Sequence, residues 1–298
     1  MSKILVAGAT GMLGSEICWL FSTAGKSVRG LVRDSSDPGK VNRLKSFGVE
    51  TVRGDVRDRG SLDRACQDMT YVITTVSAMP FSYQAGVNDL QTTDVEGTTN
   101  LIEAAKAHGV SQFIFTSISG SNTIASPLEW ANREVERRLK ESGLVYTILR
   151  PSAFMEVWLS PAVGFDPGSA KAAIYGTGRN PVSWISVHDV AQFAVASLDH
   201  PAAKNATLEL GGPEAVSPLE VVKLFERAGG RSFALQFVPE EALQAQQAAA
   251  TDAMQQSFSA AMRFMAKGDP IDMSAMYPTF AVQPTRIEEY VRHVLAPA

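Results

Sequence analysis

Three glycines, at positions 8, 11 and 14, constrain this chain more than any other feature of it. They follow a short apolar run, Lys3 to Ala7, that reads as a buried strand. They precede an amphipathic pattern in which Ile17, Leu20, Phe21 and Ala24 share one helix face. A strand that ends in a glycine-rich turn and opens a helix makes an anion site. The first-turn N–H groups have no acceptor within the helix, and the helix dipole adds positive potential. Gly8 would allow the tight turn, Gly11 the close approach of a pyrophosphate, and Gly14 the close packing of helix on sheet. The spacing is G-x-x-G-x-x-G rather than G-x-G-x-x-G. An ordinary strand-to-helix turn can also be rich in glycine; the position straight after the first strand is what favours a dinucleotide.

Strand and helix signals alternate after this turn. Strands are expected at 27–32, 50–53, 71–76, 112–116 and 145–149, and helices at 38–47, 61–67 (capped by Ser61), 88–108 and 127–142. Gly48, Gly109 and Gly143 serve as helix stops. This rhythm predicts an α/β fold, a doubly wound parallel sheet with helices on both faces. Beyond Arg150 the pattern changes to a Pro- and Gly-rich stretch. A strand at 183–187, a helix at 188–198, a strand at 207–210 and helices at 217–228, 240–265 and 285–295 follow. The expected organisation is a nucleotide-binding domain over 1–150, completed by parts of 183–211. A smaller, mostly helical substrate lobe over 151–298 roofs the crevice.

Ligands of such sheets bind at the carboxyl ends of the strands, so the residues just past each strand are the candidates. Arg33 follows strand two, where an acidic side chain would bind a ribose diol and an arginine a 2′-phosphate. Arg33 therefore argues for NADP(H), with NAD(H) the weaker second; Asp34, turned inward, would argue the reverse. The cofactor set comprises Gly8, Thr10, Gly11, Met12, Leu13 and Gly14, then Arg33, then Asp55 and Val56 after strand three. Val76, Ser77 and Ala78 follow strand four, Ser117 follows strand five, and Pro151, Ser152 and Phe154 follow strand six. Met79, Phe81, Tyr83, Phe154, Met155 and Trp158 concentrate apolar and aromatic surface in two of these segments and are the candidate lining of a pocket for a small apolar or aromatic substrate.

Composition excludes other classes. The chain has 298 residues, 45% hydrophobic and 19% charged, with a net charge of −4 and no basic block, which argues against a nucleic-acid partner. No apolar stretch is long enough to span a membrane. Cys18 and Cys66 fall in helical patterns as core thiols, which suits a reducing, cytoplasmic compartment. The histidines, His108, His188, His200 and His293, match no zinc spacing, so no metal is expected. Asp189 is expected to cap the helix that follows it, with His188 at the lobe junction.

The segments GATGMLG at 8–14, LVRD at 31–34 and GDVRD at 54–58 are similar to those of a known family. So are SGLVYTILRPSAFME at 142–156 and WISVHDVA at 184–191. Together they resemble the NmrA-like branch of the atypical short-chain dehydrogenases/reductases. The resemblance implies a Rossmann domain with a small C-terminal lobe. It also implies NAD(P)(H) binding, mostly NADP(H), at Gly8, Thr10, Gly11, Leu13, Gly14, Arg33, Asp55, Ser77 and the segment from Pro151 to Phe154.

One element of the wider superfamily is missing. None of the tyrosines at 71, 83, 146, 175, 277 and 290 has a lysine four positions on, so no Tyr-x-x-x-Lys pair exists. Many NmrA-like reductases carry a lysine in a pattern like A-K-x-x-V-E; here the stretch reads Ala131-Asn132-Arg133-Glu134-Val135-Glu136. Asn132 can hydrogen-bond a ribose or nicotinamide but cannot give up a proton near neutral pH. The first reading is a reductase of an acceptor that takes hydride readily, such as a quinone or activated aromatic, with any proton supplied by Tyr83, Ser77, Ser117 or water. The alternative is a non-catalytic NADP(H)-binding redox sensor that acts through a protein partner.

Overall fold

The computed structural model describes residues 3–79 and 82–296. Its first strands are β1 (Lys3–Ala7), β2 (Ser27–Val32), β3 (Glu50–Arg53), β4 (Tyr71–Thr74), β5 (Gln112–Thr116) and β6 (Tyr146–Pro151). The chain then adds β7 (Phe165–Asp166), β8 (Lys171–Tyr175), β9 (Ala206–Leu210) and β10 (Ala234–Val238). A seven-stranded sheet runs in the order β3-β2-β1-β4-β5-β6-β9. Pairing is parallel from β3 through β6. β9 runs beside β6 in the same sense, with Asn205 N–H on the Tyr146 carbonyl at one end and Ser152 N–H on the Leu210 carbonyl at the other. This is the doubly wound α/β fold that the alternation predicts.

The strand order reverses between β1 and β4, and both pair with the same register end: Ala7 stands opposite Leu31 on one side and Thr74 on the other. Gly8, Arg33 and Thr75 therefore emerge on one edge of the sheet, the topological switch point at which such folds bind ligands. β4 is buried on both faces, as helices on both sides of a parallel sheet require, and its burial accordingly runs unbroken from Tyr71 to Thr74 rather than alternating.

The helices of the first half are α1 (Met12–Thr23), α2 (Pro38–Ser46), α3 (Arg59–Cys66), α4 (Thr98–Ala107) and α5 (Pro127–Glu141). Those of the second are α6 (Met155–Trp158), α7 (Val187–Ala196), α8 (Pro218–Gly229), α9 (Glu240–Ala249), α10 (Ala253–Lys267), α11 (Met276–Phe280) and α12 (Ile287–Leu295). Contacts divide the chain into two compact units. One comprises Met1–Ser117, Trp130–Arg150 and Val190–Leu208, the other Ile118–Glu129, Pro151–Asp189 and Glu209–Ala298. Each has its own apolar core: Leu5, Val72, Ile102 and Phe113 in the first, Phe165, Trp184, Val221 and Phe225 in the second. Among the described residues no helix is long and apolar enough to cross a membrane.

Several local expectations are corrected. Asp58, not Ser61, caps α3, accepting from Gly60 N–H at 3.0 Å. The helix expected over 88–108 is two elements: a π-helical stretch, Leu90–Gly97, capped by Asp89, and then α4. The helix expected over 240–265 breaks before Asp252, whose carboxylate accepts from Gln255 N–H at 2.8 Å and opens α10. The strand expected at 183–187 does not form: residues 183–186 have no continuous strand partner, and Val187 opens α7. Ser183 N–H bonds the Asp269 carbonyl and Ile185 N–H that of Ala153, so separate loops satisfy its backbone. The second unit also holds a three-stranded sheet, β10-β8-β7, built from segments with no clear strand signal.

Candidate functional site

The glycine turn has the shape that its spacing suggests. Gly8 adopts φ +82°, and Gly11 N–H closes on the Gly8 carbonyl at 2.9 Å. A methyl on Gly14 would stand 2.1 Å from the Gly8 carbonyl oxygen, so only glycine lets α1 approach β1 this closely. At Gly11 the same methyl would meet only that carbonyl, at 3.2 Å, and the residue is exposed. Gly11 caps α1 without any side-chain oxygen, so nothing from the cap competes for the N–H groups of Met12 and Leu13. The cradle is thus closed by backbone on the protein side and open where a pyrophosphate would lie, and these residues fit a dinucleotide.

Arg33 follows β2 on the same edge. Its Nη1 donates to Asn88 Oδ1 at 3.3 Å, and its Nε and Nη2 have no partner among the described residues. Asp34 turns away: its side chain is 86% exposed and pairs with Arg53. The diol-binding carboxylate that would favour NAD(H) is therefore not presented beside Arg33. Asp55 is bound bidentately by Arg57, with Nε–Oδ1 at 2.9 Å and Nη2–Oδ2 at 2.7 Å. The Arg57 bond, then the charges of Arg57 and Arg33, hold the Asp55 carboxyl below its usual range against the opposing effect of burial. Val56 is buried against the core.

The segment after β4 is tied down from below. Ala78 N–H donates to Asp94 Oδ2 at 2.9 Å, and Ser77, itself exposed, also bonds that carboxyl. Asp94 is buried in the π-helical stretch, and burial pushes its carboxyl up to about 6, only partly opposed by those two bonds. The i→i+5 winding is the kind of local departure that accompanies functional positions. Met79 and Tyr83 are half-buried; Phe81 lies outside the described residues.

After β5, Ser117 Oγ donates to Glu136 Oε1 at 2.6 Å. Glu136 is only 3% exposed, on the inner face of α5, and also accepts from Arg133 at 2.7 Å and, bidentately, from Arg150, with Nε at 2.9 Å. Burial alone would raise its pKa, but the bonds from Arg150 and Ser117 and the charge of Arg133 outweigh it and hold the carboxyl below its ordinary value. The Ser117 proton is committed to this carboxylate, which makes it a poor proton source. Asn132 sits one turn before Glu136 and is buried on the same face.

The remaining candidates belong to the second unit. Ser152 is buried, and its hydroxyl has no partner among the described residues. Phe154 caps α6 and pairs with Ile185 as an isolated bridge. Met155 is fully buried in the core of the unit, so its side chain packs protein and lines no open surface. Trp158 stands edge-on to Tyr175 at 6.3 Å, beside an apolar cavity of 30 Å³, room for a water or two and not for an aromatic substrate. Asp189 is not a cap. Ser186 Oγ accepts its N–H, while its buried carboxylate accepts from Thr285 N–H at 2.8 Å and Oγ1 at 2.7 Å.

Sequence reasoning missed Asn88, Asp94 and Glu136. The last two carried a readable signal. Glu136 falls on the apolar stripe with Ala131, Val135 and Leu139, and Asp94 adjoins Leu90 and Val95 at buried positions; an acid there demands a partner.

The NmrA-like family model matches residues 1–291. An NAD(P)H azoreductase of Xenophilus azovorans is 31% identical over 263 residues, 87% of this chain and 84% of that protein. A photosystem II assembly factor, Ycf39 of Trieres chinensis, is 31% identical over 239 residues, 80% and 72% of the two chains. In structure, an Escherichia coli NADPH-dependent quinone oxidoreductase complexed with NADPH superposes with a TM-score of 0.78 at 23% identity, covering 98% of this chain and all of that one. That last likeness is one of fold. The match of the family model along nearly the whole chain, on a sheet whose switch point carries the glycine turn, makes this protein a member of the NmrA-like family.

Proposed function

We propose that this chain is an NADPH-dependent reductase of a small apolar or aromatic acceptor. The observation that carries the cofactor choice is Arg33: two guanidinium nitrogens at the switch point have no hydrogen-bond partner among the described residues, while the neighbouring Asp34 is turned outward and paired with Arg53. A guanidinium fits a 2′-phosphate with a planar fork of donors, and its charge is permanent. The first-turn N–H groups of α1 would hold the pyrophosphate. Ser77, Ala78 and Asn132 would flank the nicotinamide end. In the second unit, the buried Ser152 hydroxyl has no hydrogen-bond partner among the described residues and is a candidate donor or acceptor. When bound, the cofactor supplies a hydride. The reductase reading is supported by relatives such as the azoreductase and by the absence of a Tyr-x-x-x-Lys pair, which directs attention to acceptors that need little acid catalysis. Quinones and azo or other activated aromatics are of that kind. Orientation and exclusion of water would then supply most of the rate. With the Ser117 proton committed to Glu136, Tyr83 or water is the source of any proton required.

The test is NADPH oxidation, followed by absorbance, against quinones, azo dyes, nitroaromatics, cationic dyes and simple carbonyls. Turnover with an aromatic acceptor is expected, and Arg33→Asp should cost NADPH at least tenfold relative to NADH; an unchanged preference would remove Arg33 from the site. Asn132 favours a second reading, a non-catalytic NADP(H) sensor, because it stands where the family resemblance implies an ionisable lysine. A relative named as an assembly factor is consistent with that reading. NADPH binding without turnover across the panel would favour it.

A further inference from the structure

Asn88 has no role in the reading above, yet it is 6% exposed and every position of its carboxamide is used. Its Oδ1 accepts from Thr93 Oγ1 at 2.8 Å and from Arg33 Nη1 at 3.3 Å. Its Nδ2 donates to the Ser82 carbonyl and to Ser82 Oγ, the latter at 3.0 Å. Arg33 and the Ser82 carbonyl fix which end of the amide is which: a flipped amide would set its donors against the guanidinium. The backbone around it is closed as tightly. Asn88 N–H bonds the Gln84 carbonyl at 2.7 Å and Gln84 N–H the Asn88 carbonyl at 2.8 Å, with Gly86 at φ +72° between them. Next door, Arg57 Nη1 bonds the Val87 carbonyl while its other nitrogens hold Asp55. Val87 and Asn88 are therefore each held by an arginine, one just past β2 and one in the loop after β3.

We propose that Asn88 is a positioning residue for cofactor discrimination. It holds Arg33 by one nitrogen, leaves Nε and Nη2 aimed for a 2′-phosphate, and couples the order of the 82–89 turn to occupancy by that phosphate. The inference rests on the NADP(H) reading above. Asparagine is suited to the task where its neighbours in chemistry are not. An aspartate would form an ion pair with Arg33 and compete with the phosphate for it; an alanine would leave the long side chain free to rotate.

The experiment compares two probes that differ only in the phosphate, adenosine 2′,5′-bisphosphate and adenosine 5′-monophosphate, by calorimetric titration of the full chain. Asn88→Ala should weaken the bisphosphate about five- to tenfold, the equilibrium worth of one side chain that must be immobilised on binding. It should change the monophosphate less than twofold. Asn88→Asp should weaken the bisphosphate further. In an Arg33→Ala background, Asn88→Ala should have no additional effect on the ratio. Equal losses for both probes, or a loss that persists without Arg33, would show a merely structural role and overturn the proposal. Hydrogen exchange of the wild-type chain tests it without any variant, in case Asn88→Ala does not fold. Amides of 82–89 should gain protection with the bisphosphate and not with the monophosphate, and equal protection by both would overturn it. A wild-type protein that does not distinguish the two probes would refute the NADP(H) reading itself. One that does, with Asn88→Ala indistinguishable from it, would refute only the role of Asn88.

Discussion

Replacing Asp94 with asparagine should stabilise the protein more at pH 8 than at pH 4.5. Asp94 is buried beneath the segment after β4, and burial lifts its carboxyl from the 3.8 of an exposed aspartate to about 6. The folded chain thus binds that proton more tightly than the unfolded chain. The resulting stability is fully present below 3.8 and is lost as the pH rises through about 6. The gap corresponds to about 3 kcal/mol, of which roughly 1 kcal/mol is already lost at pH 4.5 and all of it by pH 8. Asparagine does not ionise, keeps an oxygen for the Ala78 N–H and loses none of this. Its other effects on packing are the same at both pH values and cancel in the comparison. The stability difference between Asp94→Asn and wild type should therefore be more favourable to the variant by about 2 kcal/mol at pH 8 than at pH 4.5. Urea unfolding at the two pH values, with the slope checked for constancy, measures it. A difference that does not change with pH, or that changes in the opposite direction, would show that the buried carboxylate ionises at no cost, and the account of this loop would be wrong.

Gly14→Ala places a methyl 2.1 Å from the Gly8 carbonyl oxygen, so α1 must shift from β1. A cost of about 1–3 kcal/mol in urea unfolding is expected, together with loss of NADPH binding by fluorescence titration; wild-type values in both would refute the packing argument. Glu136→Gln leaves the guanidinium groups of Arg150 and Arg133, whose side chains are 19% and 25% exposed, facing a neutral amide. A loss of about 3 kcal/mol is expected at pH 7, since removing one member of a buried pair strands the other. Because the Glu136 pKa is lowered in the folded chain, its contribution is present above about 4.5 and lost as the pH falls below it. The penalty of Glu136→Gln should shrink in acid accordingly, and a penalty independent of pH would refute the ion-pair explanation.

The primary structure by itself determined the sheet and the cradle. An apolar run followed by glycines at 8, 11 and 14 can satisfy its backbone and sterics in few ways, and alternating strand and helix signals leave right-handed crossovers as the remaining freedom. These are local properties, set by residues adjacent in sequence. The position of Arg33 at the sheet edge follows from the same register. What only tertiary structure decided depends on partners distant in the chain. That Asp34 faces away is settled by Arg53, on the next strand. The Ser117 proton is committed by Glu136 on α5, which Arg150 on β6 holds ionised. Asp189 receives Thr285 rather than capping its own helix. The three-stranded sheet escaped notice because β10 is largely exposed and pairs on one side only, so its residues show no burial pattern. The common cause is physical: hydrophobic periodicity reports which face of an element is buried, whereas the direction of a polar side chain is set by whichever donor or acceptor the fold brings within about 3 Å.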